Sequence, residues 1–243
     1  QLLVEGGKKG GIISSGIDCW LKKVDYPIIN KWYKESEEKG ISYHEDHGEG
    51  LDNYHVGASR GAGGLALMMG EKYYVSKNFI NHETISNGPL RTVFRLDYED
   101  WDGPYGKISE HKMISLDKGS NLSKIEVNIK GTNKISAGIS LQENNGSIIE
   151  INNGILLKQN HFETILSNVL LTSSKYYDGF HVYNPKIKDK NHVFLDFKLK
   201  EGKLVYYSGF HWSESKQFKD HSSWEAHLNQ LAAKIDNPIQ IKY

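Results

Sequence analysis

One alternating stretch decides the fold class: Leu90-Arg91-Thr92-Val93-Phe94-Arg95-Leu96-Asp97-Tyr98. Side chains at every second position share a face, so Arg91, Arg95 and Asp97 fall opposite Leu96 and Tyr98. A period of two is typical of a strand with one buried face. The preceding Asn87-Gly88-Pro89 is typical of a turn, because Gly permits positive φ and Pro fixes its own.

The same pattern extends over most of the chain. Further strands are predicted at 17–21, 65–69, 73–75, 108–116, 122–129, 135–141, 179–183, 192–199 and 203–211, with a shorter one at Ile12-Ile13. Asn144-Asn145-Gly146 and Asn152-Asn153-Gly154 are typical of hairpin turns. The charged segment 34–39 is predicted to be a surface loop. A helix is predicted near the end, where Trp224, Leu228, Leu231 and Ala232 share a face before Pro238.

These elements predict an all-β fold. Strands separated by turns, without a βαβ rhythm, favour a twisted antiparallel β-sandwich with a short C-terminal helix. No composition shift marks a boundary, so residues 1–243 are predicted to form a single domain.

Composition excludes several classes of function. Lysine plus arginine and aspartate plus glutamate balance at 30 each, so nothing indicates a nucleic-acid surface. Cys19 is the single cysteine, which excludes an intrachain disulfide and predicts a buried apolar role. No apolar run reaches membrane-spanning length. The start at Gln1 without methionine predicts a processed or truncated product.

A second stretch carries the chemistry. Residues 43–64 combine His44, His47 and His55 with four carboxylates, two tyrosines, one arginine and six glycines. Interior glycines disfavour a helix, since each costs about 1 kcal/mol relative to alanine, and the lack of apolar alternation disfavours a strand. Because histidine titrates near neutral pH, we predict an active-site loop, although such segments are also typical of solvated loops.

Neither a nucleotide-binding motif nor the nucleophile elbow of a hydrolase fits this loop. The segment 57–64 matches neither a Walker loop nor the dinucleotide fingerprint, and no strand-to-helix context surrounds it. Gly57-Ala58-Ser59-Arg60-Gly61 matches the Gly-x-Ser-x-Gly nucleophile elbow, but that elbow requires an α/β-hydrolase sheet, which this sequence does not predict.

Metal binding is an open alternative. Zinc could be ligated by His44 and His47 with Asp46 or His55, and carboxylates such as Asp46 and Asp52 offer oxygen ligands for calcium. The His-x-x-His spacing is not that of the zincins, and no cysteine joins it. A divalent metal therefore stays open, while no cofactor is predicted to be required.

Proton transfer on an acidic sugar suits the loop better. Removing a proton next to a carboxylate needs a base, an acid for the leaving group, and a cation or donor that stabilises the developing charge. His44, His47 or His55 offers the base or acid, Tyr54 an acid and Arg60 the cation. Further cations that are also typical of solvated surfaces are Lys77 and Arg91.

A second site segment is predicted at residues 206–212. The end of this strand delivers His211 and Trp212 to a sheet edge. Trp212 could stack on a sugar ring, and it could equally belong to the core.

Several motifs together resemble a known family. They are Ser15-Gly16-Ile17-Asp18-Cys19-Trp20, Lys31-Trp32-Tyr33, Tyr43-His44-x-Asp46-His47-Gly48-Glu49-Gly50-x-Asp52-x-Tyr54-x-Val56-Gly57, Gly61-x-Gly63-Gly64, Asn87-Gly88-Pro89-x-Arg91-Thr92 and Leu116-Asp117-x-Gly119-Ser120-Asn121-Leu122. They look like the family catalogued as domain of unknown function 4861, found in polysaccharide-degrading bacteria. The match runs across nearly the whole chain.

The resemblance implies a fold and an activity. Family members are similar to galactose-mutarotase-like β-supersandwiches and occur beside enzymes for uronic-acid polysaccharides. At least one is an oligosaccharide dehydratase of ulvan degradation, which removes water from a non-reducing-end uronic acid and leaves a 4,5-unsaturated residue. The expected function is therefore a dehydratase acting on an acidic oligosaccharide. It also implies a periplasmic or secreted location and a further N-terminal β region that this chain lacks.

Roles follow as a hypothesis from residue chemistry. We assign His47 as the C5 base or shared acid–base, Tyr54 as the acid that protonates O4, and Arg60 or Arg91 as the partner of the carboxylate. Substrate binding is assigned to His44, Asp52, His55, Lys77, Arg91, His211 and Trp212. A polysaccharide lyase, a sugar epimerase and a non-catalytic carbohydrate-binding protein are the alternatives, and the sequence does not separate dehydratase from lyase.

Overall fold

The computed structural model describes residues 14–142 and 146–239. The strand predicted at Ile12-Ile13 lies outside the described residues, as does most of the turn at Asn144-Asn145-Gly146. In chain order the elements are β1 (Leu21–Lys22), α1 (Ile29–Lys39), β2 (Gly50–Leu51), β3 (Ala62–Met69), β4 (Lys72–Tyr74), β5 (Phe79–Asn87), β6 (Arg91–Tyr98), β7 (Trp101–Gly103), β8 (Gly106–Asp117), β9 (Leu122–Lys130), β10 (Lys134–Ser140), β11 (Ser147–Ile151), β12 (Gly154–His161), β13 (Thr164–Thr172), β14 (Tyr177–Tyr183), β15 (His192–Lys198), β16 (Lys203–Trp212) and α2 (His221–Asp236).

Two antiparallel sheets make up most of the described chain. The larger has the order β11-β12-β13-β16-β9-β8-β6-β5, with β7 paired to β8, and the smaller has the order β14-β15-β10-β3-β4. The short strands β1 and β2 pair separately. Strand β2 lies within residues 43–64, which are called the glycine-rich loop below. The predicted all-β sandwich with a C-terminal helix is confirmed.

The main core contains the inward faces of both sheets. Ile125, Val127 and Ile129 of β9 belong to the same buried cluster as Leu195 and Phe197 of β15. Full burial of each such side chain stabilises the fold by about 1.5–3 kcal/mol. A shift of one residue would turn these side chains to solvent, so the alternating pattern fixes the register of the strands.

The helix α2 packs on the outer face of the larger sheet. Asp220 caps it, because its side chain accepts a hydrogen bond from the backbone N–H of Ser223, whose hydroxyl completes a capping box. The shared face predicted from the sequence is confirmed in Trp224, Leu228 and Ala232, which are fully buried. They pack on outward-facing residues of the sheet, Leu156, Val169 and Leu171.

The prediction of a surface loop at 34–39 is wrong. These residues form the second half of α1, which ends at Gly40 with a left-handed φ of 68°. Lys39 and Glu35 form an i,i+4 pair at 3.4 Å, and Trp32 is the buried residue of the helix. Because mixed charges at this spacing support a helix, charge density alone did not indicate a loop.

Strand β5 was not predicted. It is the last strand of the larger sheet, and all of its residues after Phe79 are exposed. Its pairing with β6 shifts register twice, between Phe79 and Asn81 and between Thr84 and Ser86. A strand that is solvated on both faces needs no apolar alternation, so no strand pattern is visible in this part of the sequence.

Neither helix in the described ranges combines the length and the apolar character needed to cross a membrane.

Candidate functional site

The glycine-rich loop is pinned to the segment before it at two points. Gly50 has φ of 113° and pairs with Lys22, and an added Cβ would lie 2.0 Å from the carbonyl oxygen of Leu21. Gly61 has φ of 59°, and its Cβ would lie 2.0 Å from the carbonyl oxygen of Ile17. Only glycine fits such contacts. Both close approaches of this loop are therefore made to the chain's own backbone.

Arg60 is buried and cannot reach a substrate. Its side chain is 1% exposed, and Nη1 donates to the Ser15 hydroxyl at 3.0 Å and to the Leu65 carbonyl at 3.3 Å. Nη2 lies 3.3 Å from the Ser14 hydroxyl. Burial lowers the pKa of Arg60 to about 10, so the guanidinium stays charged at neutral pH. Its assignment as the carboxylate partner is corrected, because the interior encloses the cation.

Arg60 belongs to a buried ion network, which we define as Arg60, Glu110 and Lys112. Ser76 links its members, since its hydroxyl bonds to that of Ser15 at 3.0 Å and to Glu110 Oε1 at 2.8 Å. Lys112 Nζ lies 3.3 Å from the same carboxylate oxygen. The network connects the loop with β8, which gives Arg60 a structural role.

Tyr54 is also interior. It is 4% exposed and packs with Cys19, Leu21 and Val56 in a small apolar cluster. Burial raises the pKa of its hydroxyl well above the usual range. The role of Tyr54 as an acid that touches substrate is therefore corrected, while the buried apolar role predicted for Cys19 is confirmed.

His47 is exposed, and its ring contacts the backbone. Its Nε2 lies 3.0 Å from the carbonyl oxygen of Ser42. The small cavity that it lines with Trp32 and Glu49 has a volume of about 20 Å³, which is room for about one water molecule. A base role for His47 remains a prediction.

The described part of the loop holds a better acid–base pair, His44 and Asp52. His44 Nδ1 lies 2.5 Å from the carbonyl oxygen of Asp52 and 3.8 Å from its carboxylate Oδ2. Since a carbonyl oxygen only accepts, Nδ1 carries the hydrogen and Nε2 of the neutral ring keeps its lone pair. The His44 side chain is 61% exposed, whereas that of Asp52 is 12% exposed.

Asp52 is held near its titration point at neutral pH. Burial raises the pKa of its carboxyl to about 7, and the neighbouring Asp18 adds to this shift. The pKa of Asp18 is itself raised by burial. A carboxyl group that exchanges a proton near pH 7 is suited to general acid–base work.

An aromatic cluster packs beside Asp18 and His44. Trp20 stacks with Trp32 and with Tyr43, whose ring centroids lie 5.5 Å and 5.4 Å from its own. The Trp20 indole N–H donates to Asp18 Oδ2 at 3.1 Å, and the Tyr43 ring lies 4.4 Å from that of His44. These ring contacts and the indole hydrogen bond position the acid–base groups.

His55 forms a second histidine–carboxylate pair. Its Nε2 lies 2.9 Å from Asp189 Oδ1, and the other oxygen of Asp189 accepts from the backbone N–H of Ala58 at 3.3 Å. Asp189 has a left-handed φ of 62°. His55 was assigned to substrate binding, and its exposed ring is compatible with that prediction.

His211 and Trp212 do not form a sugar-binding edge. Trp212 is 3% exposed and donates to the Thr164 hydroxyl at 2.9 Å, so of its two predicted alternatives the core is confirmed. His211 is buried on the opposite face of β16, with its ring 5.7 Å from that of Trp224. Their assignment to substrate binding is corrected, because α2 and the inner face of the sheet enclose them.

Two predicted cations lie away from the loop. The exposed Lys77 is 4.0 Å from Glu99. Arg91 pairs with Asp117 through Nε at 2.5 Å and Nη2 at 2.8 Å on the outer face of the larger sheet. The structure therefore brings His44 and Asp52 together and leaves Lys77 and Arg91 elsewhere.

Sequence reasoning missed Asp18 and Asp189 as partners of the loop. Asp18 stands in the motif Ser15–Trp20, two residues before the tryptophan, and this motif was the only signal for it. Asp189 is 134 residues from His55, and nothing local indicates this pair.

Across 14–142 and 146–239, no three His, Cys, Asp or Glu side chains are grouped as metal ligands. The histidines that a zinc site would need are spread over separate contacts, His44 with Asp52, His47 with Ser42 and His55 with Asp189.

Comparison with known proteins gives a family and one relative. The family model described as Domain of unknown function (DUF4861) matches residues 7–241. A protein of Formosa agariphila called "Uncharacterized protein P7" is 41% identical over 244 residues, which cover 99% of this chain and 62% of the relative. The chain thus spans about 62% of the length of this curated relative. No solved structure is similar enough to count as a match.

Proposed function

The chain belongs to the family of domain of unknown function 4861, and on that premise we propose that it is an oligosaccharide dehydratase. It removes water across C4 and C5 of a non-reducing-end uronic acid. One observation carries the proposal: His44 and Asp52 form a pair in which the carboxyl has a pKa of about 7. The uronic-acid substrate class comes from the resemblance of the motifs to that family.

His44 acts as the base. Its Nδ1–H is occupied by the carbonyl of Asp52, so Nε2 is the nitrogen left to accept a proton. The exposure of the ring allows a sugar carbon to approach it. His44 replaces His47 in this role, because Asp52 Oδ2 lies 3.8 Å from the His44 ring, whereas the His47 ring contacts the carbonyl oxygen of Ser42.

Asp52 acts as the acid. Hydroxide is a poor leaving group, so O4 must be protonated as it departs. Burial keeps a substantial fraction of Asp52 protonated near pH 7, which an ordinary aspartate would not be.

The proton balance closes within the pair. The C5–H bond breaks and its proton goes to His44 Nε2, while the electrons form the C4=C5 double bond. The C4–O4 bond breaks, and O4 leaves as water with the proton of Asp52. The resulting imidazolium and carboxylate are an ion pair, and return of the proton from His44 Nε2 to Asp52 through solvent restores the starting state.

The proposal is tested on saturated uronic-acid oligosaccharides. We expect the ultraviolet absorbance of the conjugated uronate to rise, and mass spectrometry to show the loss of one water at unchanged chain length. Shortened chains would instead identify a lyase. Exchange of solvent deuterium at C5 without absorbance would identify an epimerase.

Two variants and a matched control assign the roles. His44→Asn keeps a donor toward the Asp52 carbonyl but removes Nε2, and Asp52→Asn removes the acid at nearly constant shape. Each should lower the turnover by about 10²–10⁴-fold. Glu45→Gln changes an exposed carboxylate of the same loop and should leave turnover unchanged. Full activity in either His44→Asn or Asp52→Asn would overturn the assignment.

A further inference from the structure

The outer face of the larger sheet carries a trough beside α2. Its volume is about 380 Å³, which lies within the range of small-molecule sites. It shares no lining residue with the loop 43–64. The trough is therefore separate from the His44–Asp52 pair.

A row of side chains across four strands forms the floor. Val93 of β6 is the register partner of Ser115, Ser115 is that of Lys124, and Lys124 is that of Tyr207. Three strand spacings give this row a length of about 14 Å. Leu231 of α2 forms a wall on the side of Tyr207.

The charges around the floor cancel in pairs. Arg91 is held by both oxygens of Asp117, and Lys124 Nζ lies 3.0 Å from Glu126 Oε1. An anionic ligand would have to compete with these carboxylates for the cations. A neutral ligand with several hydroxyls can instead use the donors and lone pairs that each ion pair leaves free.

Tyr207 gives the floor both an apolar and a polar surface. Its side chain is half-buried, and burial raises the pKa of its hydroxyl, so the phenol is protonated at neutral pH. Its ring and the aliphatic Val93, Leu122 and Leu231 offer apolar contact. An uncharged pyranose presents this combination, a C–H face bordered by hydroxyls.

We propose that this trough binds an uncharged sugar residue of a carbohydrate chain, at a site distinct from the acid–base pair. The proposal does not depend on the dehydratase activity. The ion pairs at its border, Arg91–Asp117 and Lys124–Glu126, orient the hydroxyls of the sugar, while Tyr207 and the apolar side chains contact the sugar ring.

The test is a titration of the protein with methyl glycosides of glucose, galactose, mannose and xylose, followed by two-dimensional NMR. Methyl glucuronide and glucose 6-sulfate serve as anionic probes. We expect at least one neutral glycoside to shift the amide signals of Ser115, Lys124 and Tyr207, and to bind more tightly than either anion. Shifts caused only by the anions, or no shifts at these residues, would overturn the proposal.

Variants locate the binding. Tyr207→Phe removes one hydroxyl and should weaken binding by about three- to tenfold, and Tyr207→Ala should abolish measurable binding. Tyr105→Ala, at a tyrosine that is 86% exposed and outside the trough, is the matched control and should change nothing. Asp52→Asn should retain neutral-sugar binding. Equal affinity in wild type and Tyr207→Ala, or loss of binding in Asp52→Asn, would contradict the site.

Discussion

The two halves of the glycine-rich loop, residues 43–53 and 54–64, differ in composition and in environment, since all four carboxylates lie in the first half. In the first half His44 is mostly exposed and contacts Asp52, whose carboxyl titrates at about pH 7. In the second half Tyr54 and Arg60 are buried, and Arg60 is bound to serines and a carbonyl. The difference teaches that a titratable residue can reach a ligand only where part of it stays exposed, since full burial makes it part of the core.

The largest effect is expected from a substitution in the buried half of the loop. Arg60→Ala removes a fully buried cation from the ion network and leaves the hydroxyls of Ser14 and Ser15 without this donor. We expect a loss of about 3–5 kcal/mol in the free energy of unfolding, measured with urea. Arg95→Ala, at a half-exposed arginine on the outer face, is the control and should cost far less. A small loss in Arg60→Ala would show that the network is not structural.

His192, which contacts the buried half of the loop, makes the stability of the protein depend on pH. Burial lowers the pKa of His192 to about 3, and its Nε2 accepts from the backbone N–H of Arg60 at 3.0 Å. The unfolded state takes up a proton below about pH 6.5, whereas the folded state does not, so this contribution to stability is present above that pH and declines as the pH falls toward 3. The expected slope is at most about 1.4 kcal/mol per pH unit.

The measurement for His192 is urea unfolding at several pH values. His192→Gln, which can keep an acceptor and a donor, should flatten the slope on the acid side. An unchanged slope in this variant would assign the acid sensitivity to other groups.

A smaller effect is expected in the exposed half of the loop, on the pKa of Asp52. Asp18 helps burial to raise the pKa of Asp52, so Asp18→Asn should lower that pKa. Carbon-detected NMR titration of the Asp52 carboxyl measures this shift without any assay. In the proposed reaction, turnover falls as the pH rises through about 7 and Asp52 loses its proton, and in Asp18→Asn this fall should move to lower pH. A pKa unchanged by the substitution would remove Asp18 from the site.

The smallest effect is expected at a surface pair. Arg91 and Asp117 are more than half exposed, and solvent screens their attraction. Arg91→Ala should therefore leave the unfolding midpoint within experimental error. A double-mutant cycle with Asp117→Ala checks this, and a clear coupling would mean that the pair is more rigid than an ordinary surface ion pair.

The sequence predicted the parts of the fold that follow from local patterns. Alternation at 90–98 and the apolar positions of α2 were sufficient, because burial of one face determines each pattern. It failed at 34–39, where helical charge pairs resemble a loop, and at β5, where solvent on both faces removes the pattern.

The candidate site was predicted only as a segment. The histidines and carboxylates of the loop were found, but their roles depend on partners that are distant in sequence. Asp18 lies 34 positions before Asp52, and Glu110 lies 50 positions after Arg60. Whether Arg60 points into the core or to solvent is decided by these long-range contacts, which no local spacing encodes.

The irregular edge strand β5 has a consequence for handling the protein. An unpaired edge in a flat sheet is a template on which a second molecule can add its own strand. The two register shifts of β5 twist this edge, and its charged and polar residues, among them Glu83 and His82, make it a poor template. Replacing these residues by β-branched apolar ones would turn the edge, already bearing the exposed Ile80 and Ile85, into a seed for aggregation.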